Sequence, residues 1–177
     1  MIVAISGRTA SGKTTLAHAL AEDLGGTAGS FGDYVRKLAV DLDCEASRAN
    51  LQTIGQAAVE ADPAGFLAAF LEWMSATNGQ WLILDGLRHV AVRDALLVHA
   101  AACGTEARFV FVGTDDRQRA VRLRARGDDE AATAAHDSHA SEADVRNRLR
   151  EEADLVVTRS DCILRLVKEI KTGLSLC

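Results

Sequence analysis

The segment Gly7–Thr14, GRTASGKT, constrains the fold more than any other part of the sequence. It matches the pattern GxxxxGK[ST], in which backbone amides surround a phosphate chain, the lysine reaches the β- and γ-phosphates and the hydroxyl binds Mg²⁺. The apolar run MIVAIS precedes it, and residues 13–24 follow with leucines on one helical face. A strand, a glycine loop and a helix in this order predict a site for a nucleoside triphosphate, because the helix N-terminus then faces the anion.

The nucleotide-binding residues that this motif predicts lie within one short segment. They are Gly7, Ala10, Ser11, Gly12, Lys13, Thr14 and Thr15. Lys13 is also a predicted catalytic residue, since its charge would follow the phosphoryl group during transfer.

Short apolar runs alternate with helical patterns along the whole chain. Strands are expected at residues 1–6, 27–30, 81–85, 107–113 and 154–158. Helices are expected at 13–24, 33–42, 47–61, 64–77, 91–102, 116–127, 142–153 and 162–174. This alternation predicts an α/β protein of three layers, with a five-stranded parallel sheet covered by helices on both faces. We expect one domain over residues 1–177, because no linker or break in composition interrupts it.

Composition and charge exclude several classes of protein. Hydrophobic residues make up 48% of the 177 residues, which allows a substantial core. The net charge of −5 makes a nucleic-acid partner improbable, since duplex binding relies on a basic surface. No apolar run is long enough to span a membrane. The four cysteines lie far apart without a CxxC pair, so neither zinc nor a disulfide framework is expected, and we expect a cytoplasmic protein.

Asp85 ends the apolar segment WLILD and would lie at the carboxyl end of a buried strand. Ligands bind at that edge of an open parallel sheet. An acid in this place can hold Mg²⁺, so Thr14 and Asp85 are the predicted metal residues. A plain Asp-Gly turn is the alternative interpretation.

Two further segments carry a resemblance to a known family: SFGDYVRKL at residues 30–38 and DGLRH at residues 85–89. They are similar to segments of P-loop nucleoside and nucleotide kinases of the adenylate kinase-like superfamily, and the pattern is closest to deoxynucleoside monophosphate kinases and dephospho-CoA kinase. The resemblance implies the P-loop NTPase sheet order 2-3-1-4-5, with ATP and Mg²⁺ as cofactors. It also implies that Arg36 and Arg88 bind the phosphate of the acceptor. Arg88 is in addition a predicted catalytic residue. A solvated surface position is the alternative for each.

An arginine-rich segment, DRQRAVRLRARG, occupies residues 116–127. Arg119, Arg122 and Arg126 have the spacing of one helical face, where their charges repel one another unless an anion is present. Members of the family carry lid arginines here, so the resemblance implies a lid over about residues 119–142. In it, Arg122 and Arg126 would stabilise the phosphoryl group in flight. The alternative is a solvated helix whose arginines pair with Asp115 and Asp116.

The segment SRANLQTIGQ places Arg48, Gln52 and Gln56 at spacings of four. Two amides so spaced can bind a base edge through their donors and acceptors. Phage-type deoxynucleoside monophosphate kinases have a similar helix, which implies an acceptor-binding helical insertion over about residues 33–77. The alternative is an ordinary polar face opposite Leu51 and Ile54.

Three functions remain open from the sequence. The first is ATP-dependent phosphoryl transfer to a nucleoside or deoxynucleoside monophosphate, a small-molecule acceptor that needs no general base. The second is a small-molecule hydroxyl kinase, in which Asp33 would be the catalytic base. The third is a P-loop ATPase or nucleotide-sensing module. We expect a monomer or a homodimer.

Overall fold

A computed structural model describes residues 1–75, 81–125, 145, 147–158 and 162–176 of the protein. Its sheet contains five parallel strands in the order β2-β3-β1-β4-β5, which confirms the predicted architecture and order. The strands are β1 (Ile2–Ser6), β2 (Thr27–Ser30), β3 (Leu82–Leu87), β4 (Ala107–Gly113) and β5 (Leu155–Thr158).

Helices connect the strands and cover the sheet. Those in the described part of the chain are α1 (Lys13–Leu24), α2 (Phe31–Asp41), α3 (Arg48–Ala61), α4 (Pro63–Trp73), α5 (Val90–Ala102), α6 (Asp116–Ala125), α7 (Arg148–Glu151) and α8 (Ile163–Gly173). Helix α2 begins two residues before its predicted start, because the side chain of Ser30 caps it by accepting a hydrogen bond from the backbone of Asp33. Helix α4 ends before its predicted end, where Ser75 adopts a φ of +52°.

The sheet is buried on both faces, as expected for parallel strands. Side chains of the central strand β1 alternate between two hydrophobic clusters. Ile2 and Ala4 join the cluster formed with α2, α4 and α5, while Val3 and Ile5 join the cluster formed with α1 and α8. No helix in the described ranges is long and apolar enough to cross a bilayer.

The carboxyl ends of β1, β2 and β3 meet at one edge of the sheet. The loop after β1 leads into α1, Ser30 leads into α2, and Asp85 lies in β3 beside β1. This edge therefore gathers the motif residues that the sequence placed far apart.

Candidate active site

The loop between β1 and α1 depends on two glycines. Gly7 has a φ of +144°, and a Cβ atom there would lie 2.5 Å from the carbonyl oxygen of Val112. Gly12 precedes the first turn of α1 with a φ of +89°. Both conformations are unfavourable for residues with a side chain, so the glycines of the motif serve the backbone path of the loop.

Lys13 folds back over this loop. Its Nζ atom donates hydrogen bonds to the carbonyl oxygens of Gly7, at 2.7 Å, and Arg8, at 2.9 Å. The side chain is buried. The ammonium group thus lies against the same loop whose amides are predicted to surround the phosphates.

Thr14 and Asp85, the predicted metal residues, are in direct contact. The hydroxyl of Thr14 donates a hydrogen bond of 2.6 Å to Oδ2 of Asp85. Asp85 is buried, and its Oδ1 atom has no hydrogen-bond partner among the described residues. A buried carboxylate oxygen that lacks a partner is suited to a cation or to water bound to one.

The oxygen atoms of this pair fit Mg²⁺, which prefers oxygen ligands. The described residues include no group of three or more histidine, cysteine or acidic side chains that could enclose a metal ion. That also fits, because Mg²⁺ is usually held by one or two carboxylates together with substrate phosphates and water.

Arg88 lies deep in the site. Its Nη2 atom donates a hydrogen bond of 3.0 Å to the hydroxyl of Thr9. Burial lowers the pKa of Arg88 from its ordinary value; the carboxylate of Asp85 opposes this, and the nearby charge of Arg48 adds to it. An arginine pKa starts so high that the guanidinium stays protonated at neutral pH. The site therefore contains a positive charge on a partly buried side chain.

Helix α6 brings two arginines onto the same loop. Arg119 is buried and its Nε atom donates to the carbonyl oxygen of Thr9 at 3.1 Å. Arg122 donates to the carbonyl oxygen of Ala10 at 3.4 Å. An ion pair of 2.6 Å between Arg8 and Asp116 adds a third connection. One face of the arginine-rich helix thus contacts the loop, while Arg117 and Arg124 on the helix are exposed.

The structure brings two residues to the site that were not predicted, Arg119 and Thr9, and one predicted arginine is not described. Arg119 was not among the predicted catalytic residues, although its spacing of three from Arg122 placed it on the same helical face. Arg126 lies outside the described residues, as does most of the predicted lid. Thr9 was also missed, and its position in the loop motif carries no residue preference that would have indicated it.

A cavity of about 610 Å³ joins the loop to the predicted acceptor residues. Lys13, Thr14 and Asp85 line one part of it. The rest of its lining includes Asp33, the predicted catalytic base of the hydroxyl kinase, and every predicted acceptor-binding residue: Arg36, Arg48, Gln52, Gln56 and Arg88. Residues that are distant in sequence therefore line one open cleft, although their individual roles stay predictions.

Helix α3 presents its amides to this cavity. Its buried positions are Gly55 and Val59, while Leu51 lines the cavity beside Gln52 and Gln56. Leucine and amides thus border the same cavity, which does not fit the alternative of an amide face opposite Leu51; binding of a base edge by Gln52 and Gln56 stays a prediction.

Asp33 and Arg36 form an ion pair at the rim of the cavity. Both side chains are more than half exposed, at 58% and 59%. Such a pair contributes little to stability, so both groups are free to exchange partners when an acceptor enters.

The model of the AAA domain family matches residues 3–156. The chain belongs to this AAA domain family. No functionally curated protein matches the sequence.

Solved structures with the same fold as this AAA domain include small-molecule kinases. Shikimate kinase from Aquifex aeolicus vf5 is 16% identical, with 99% of this chain and 96% of that chain covered and a TM-score of 0.59. Gluconokinase from Sinorhizobium meliloti 1021 is 18% identical, with coverages of 98% and 90% and a TM-score of 0.62. APS kinase from Mycobacterium tuberculosis, solved with AMPPNP and APS, is 16% identical, with coverages of 98% and 96% and a TM-score of 0.57. These similarities confirm that the AAA domain has the fold of P-loop kinases.

Proposed function

We propose that the protein transfers the γ-phosphoryl group of ATP to a small anionic molecule, and that this acceptor is a nucleoside or deoxynucleoside monophosphate. The observation that carries the proposal is the shared cavity. It joins the loop lysine Lys13 and the Thr14–Asp85 pair to three arginines, Arg36, Arg48 and Arg88.

The donor side of the proposed reaction is formed by the glycine loop. Lys13 would exchange its hydrogen bonds to loop carbonyls for bonds to the β- and γ-phosphates. Arg119 and Arg122 of α6 contact the same loop and would add positive charge there. Thr14 and Asp85 would hold Mg²⁺, which neutralises phosphate charge when bound.

The acceptor side offers positive charge to an anion. The planar fork of an arginine suits phosphate, because it forms paired, charge-assisted hydrogen bonds. A monophosphate acceptor is already ionised, so transfer to it relies on positioning and charge neutralisation and requires no proton abstraction. The fold shared with shikimate kinase, gluconokinase and APS kinase supports a small-molecule acceptor.

Asp33 favours a second candidate, a kinase that acts on a hydroxyl group. It lines the cavity together with Thr14 and Asp85, and a carboxylate in that cavity could serve as the general base for a hydroxyl acceptor. In transfer to a hydroxyl group Asp33 would be a catalytic residue, whereas in transfer to a monophosphate it would only pair with Arg36.

The deciding experiment is a coupled ADP-release assay with ATP, Mg²⁺ and a panel of acceptors. The panel contains ribo- and deoxyribonucleoside monophosphates, dephospho-CoA and common sugars. Turnover that depends on one monophosphate supports the proposal. Turnover only with a hydroxyl compound contradicts the first candidate function and supports the second. Hydrolysis that no acceptor stimulates indicates an ATPase or nucleotide sensor instead.

Asp33→Asn separates the two candidates. We expect kcat with a monophosphate to fall by no more than about threefold, because no general base is required, whereas loss of a general base costs roughly a hundredfold or more. Asp41→Asn is the matched control, since Asp41 lies on the same helix and pairs with Lys37 away from the cavity. A loss of turnover in Asp33→Asn alone would contradict transfer to a phosphate.

Gly7→Ala tests the loop geometry. The added Cβ would meet the Val112 carbonyl oxygen at 2.5 Å, so the loop must shift and its amides lose their alignment. We expect affinity for ATP to fall by about tenfold or more, as measured by calorimetric titration. The control is Gly104→Ala, where φ is also positive, at +62°, but no atom lies within 4 Å of the new Cβ. Equal affinity in the two variants would show that the close approach is unimportant.

A further inference from the structure

The amide of Gln56 has an orientation that its chemistry determines. Its Nε2 atom donates a hydrogen bond of 2.6 Å to Oε1 of Glu60, one turn further along α3. An ionised carboxylate only accepts hydrogen bonds, so the group that faces Glu60 must be the NH₂ of Gln56. The carbonyl oxygen of Gln56 therefore lies at the other end of the amide group and does not face Glu60.

That carbonyl oxygen is buried and has no hydrogen-bond partner among the described residues. Gln56 also lines the 610 Å³ cavity. A buried acceptor without a partner is unfavourable, and native proteins satisfy such groups with a protein atom, a water molecule or a ligand. Here the cavity is the space from which a partner can come.

Gln52 provides a second polar atom of the opposite kind. Its Nε2 atom is buried and likewise has no partner among the described residues. Gln52 lies one helical turn before Gln56 and lines the same cavity. Two residues of the cavity wall thus carry an unpartnered donor and an unpartnered acceptor, and the bond to Glu60 determines which end of the Gln56 amide is the acceptor.

We propose that Glu60 is a positioning residue that makes Gln56 a hydrogen-bond acceptor in the cavity, so the acceptor molecule must present an N–H group to it. The inference rests on the proposed transfer to a nucleoside monophosphate and specifies the base edge of that substrate. Adenine, guanine, cytosine, uracil and thymine each carry an N–H group beside an acceptor atom. Unsubstituted purine and 2-pyrimidinone carry ring acceptors but no N–H group when attached to ribose.

The first test compares the preferred monophosphate with its N–H-free analogue. The probe is purine riboside 5′-monophosphate for a purine substrate and 2-pyrimidinone riboside 5′-monophosphate for a pyrimidine, each with the sugar of the preferred substrate. We expect kcat/KM to be lower for the analogue by about tenfold or more, since a site built to accept an N–H bond discriminates against a molecule that lacks it. Equal use of both would overturn the inference and leave the proposed function intact. If no monophosphate is phosphorylated, the proposed function fails and this inference fails with it.

The second test is Glu60→Gln. Glutamine at position 60 can donate as well as accept, so the amide of Gln56 is released to flip and to present its NH₂ group to the ring acceptors of the analogue. We expect the ratio of kcat/KM between the natural substrate and the analogue to fall to about threefold or less, chiefly because kcat/KM for the analogue rises. Glu60 is exposed, so the variant should fold, which its thermal melting curve checks.

Glu22→Gln is the matched control, because Glu22 is an exposed helical glutamate that does not line the cavity. It should keep the full preference, and neither variant should change KM for ATP. A purely structural role for Glu60 would lower turnover of both acceptors equally. An unchanged preference in Glu60→Gln would therefore overturn the role of Glu60.

Discussion

Replacing Lys13 by alanine should lower kcat on the order of a thousandfold, the scale seen when one preorganised charge is removed from a transferring phosphoryl group. The expected loss has two sources. The ammonium group is the charge predicted to follow the γ-phosphate, and it also bonds to the carbonyls of Gly7 and Arg8. The measurement is single-turnover transfer from labelled ATP to the preferred acceptor.

Lys171→Ala is the control for this prediction. Lys171 lies on α8, pairs with Asp23 and does not line the cavity. Its loss should leave turnover unchanged. Near-normal transfer by Lys13→Ala would contradict the catalytic role of the loop lysine.

Replacing Arg88 by lysine should lower kcat/KM for the acceptor by about a hundredfold. The positive charge is retained, but the planar fork that can bind a phosphate through two hydrogen bonds is lost. We also expect the hydrogen bond to the Thr9 hydroxyl to weaken or be lost, because a lysine side chain is shorter and donates from a single nitrogen. KM for ATP should change little, so the effect is measured by varying the acceptor at saturating ATP.

Arg93→Lys is the matched control, since Arg93 is a largely buried arginine that pairs with Glu152 and does not line the cavity. Its steady-state parameters should match those of the unmodified protein. If Arg88→Lys raised KM for ATP and left the acceptor unaffected, Arg88 would belong to the donor side instead.

The glycine loop and the sheet could be predicted from the sequence because their signals are local. A loop of fixed glycine spacing between an apolar run and a helix has few alternatives, and alternating apolar and helical segments require a covered parallel sheet. Asp85 followed from the same rule, since the carboxyl ends of parallel strands form the ligand edge. Oδ2 of Asp85 accepts a hydrogen bond of 2.6 Å from the Thr14 hydroxyl.

Contacts between distant segments could not be read in this way. Arg119 is hidden within a run of arginines, and its bond to the Thr9 carbonyl depends on how α6 packs against the loop. The alternative for α3 set its amides opposite Leu51, yet Leu51, Gln52 and Gln56 line the same cavity, which depends on how the helices pack and not on residue type alone. The orientation of the Gln56 amide follows from its hydrogen bond to Glu60, since an amide alone can turn either end to a ligand.

The sheet order has a consequence for how the protein could be redesigned. Helices α2, α3 and α4 form one continuous stretch between β2 and β3, and they contribute Arg36, Arg48 and both amides to the cavity. The loop lysine and the α6 arginines come from separate stretches of chain. If the proposed function holds, most of the acceptor wall thus comes from one stretch of chain, with Arg88 after β3 as the exception, and a graft of that stretch should alter acceptor choice more than donor use. Such a graft must keep Phe31 and Phe70, whose stacked rings anchor the stretch in the core beneath the sheet.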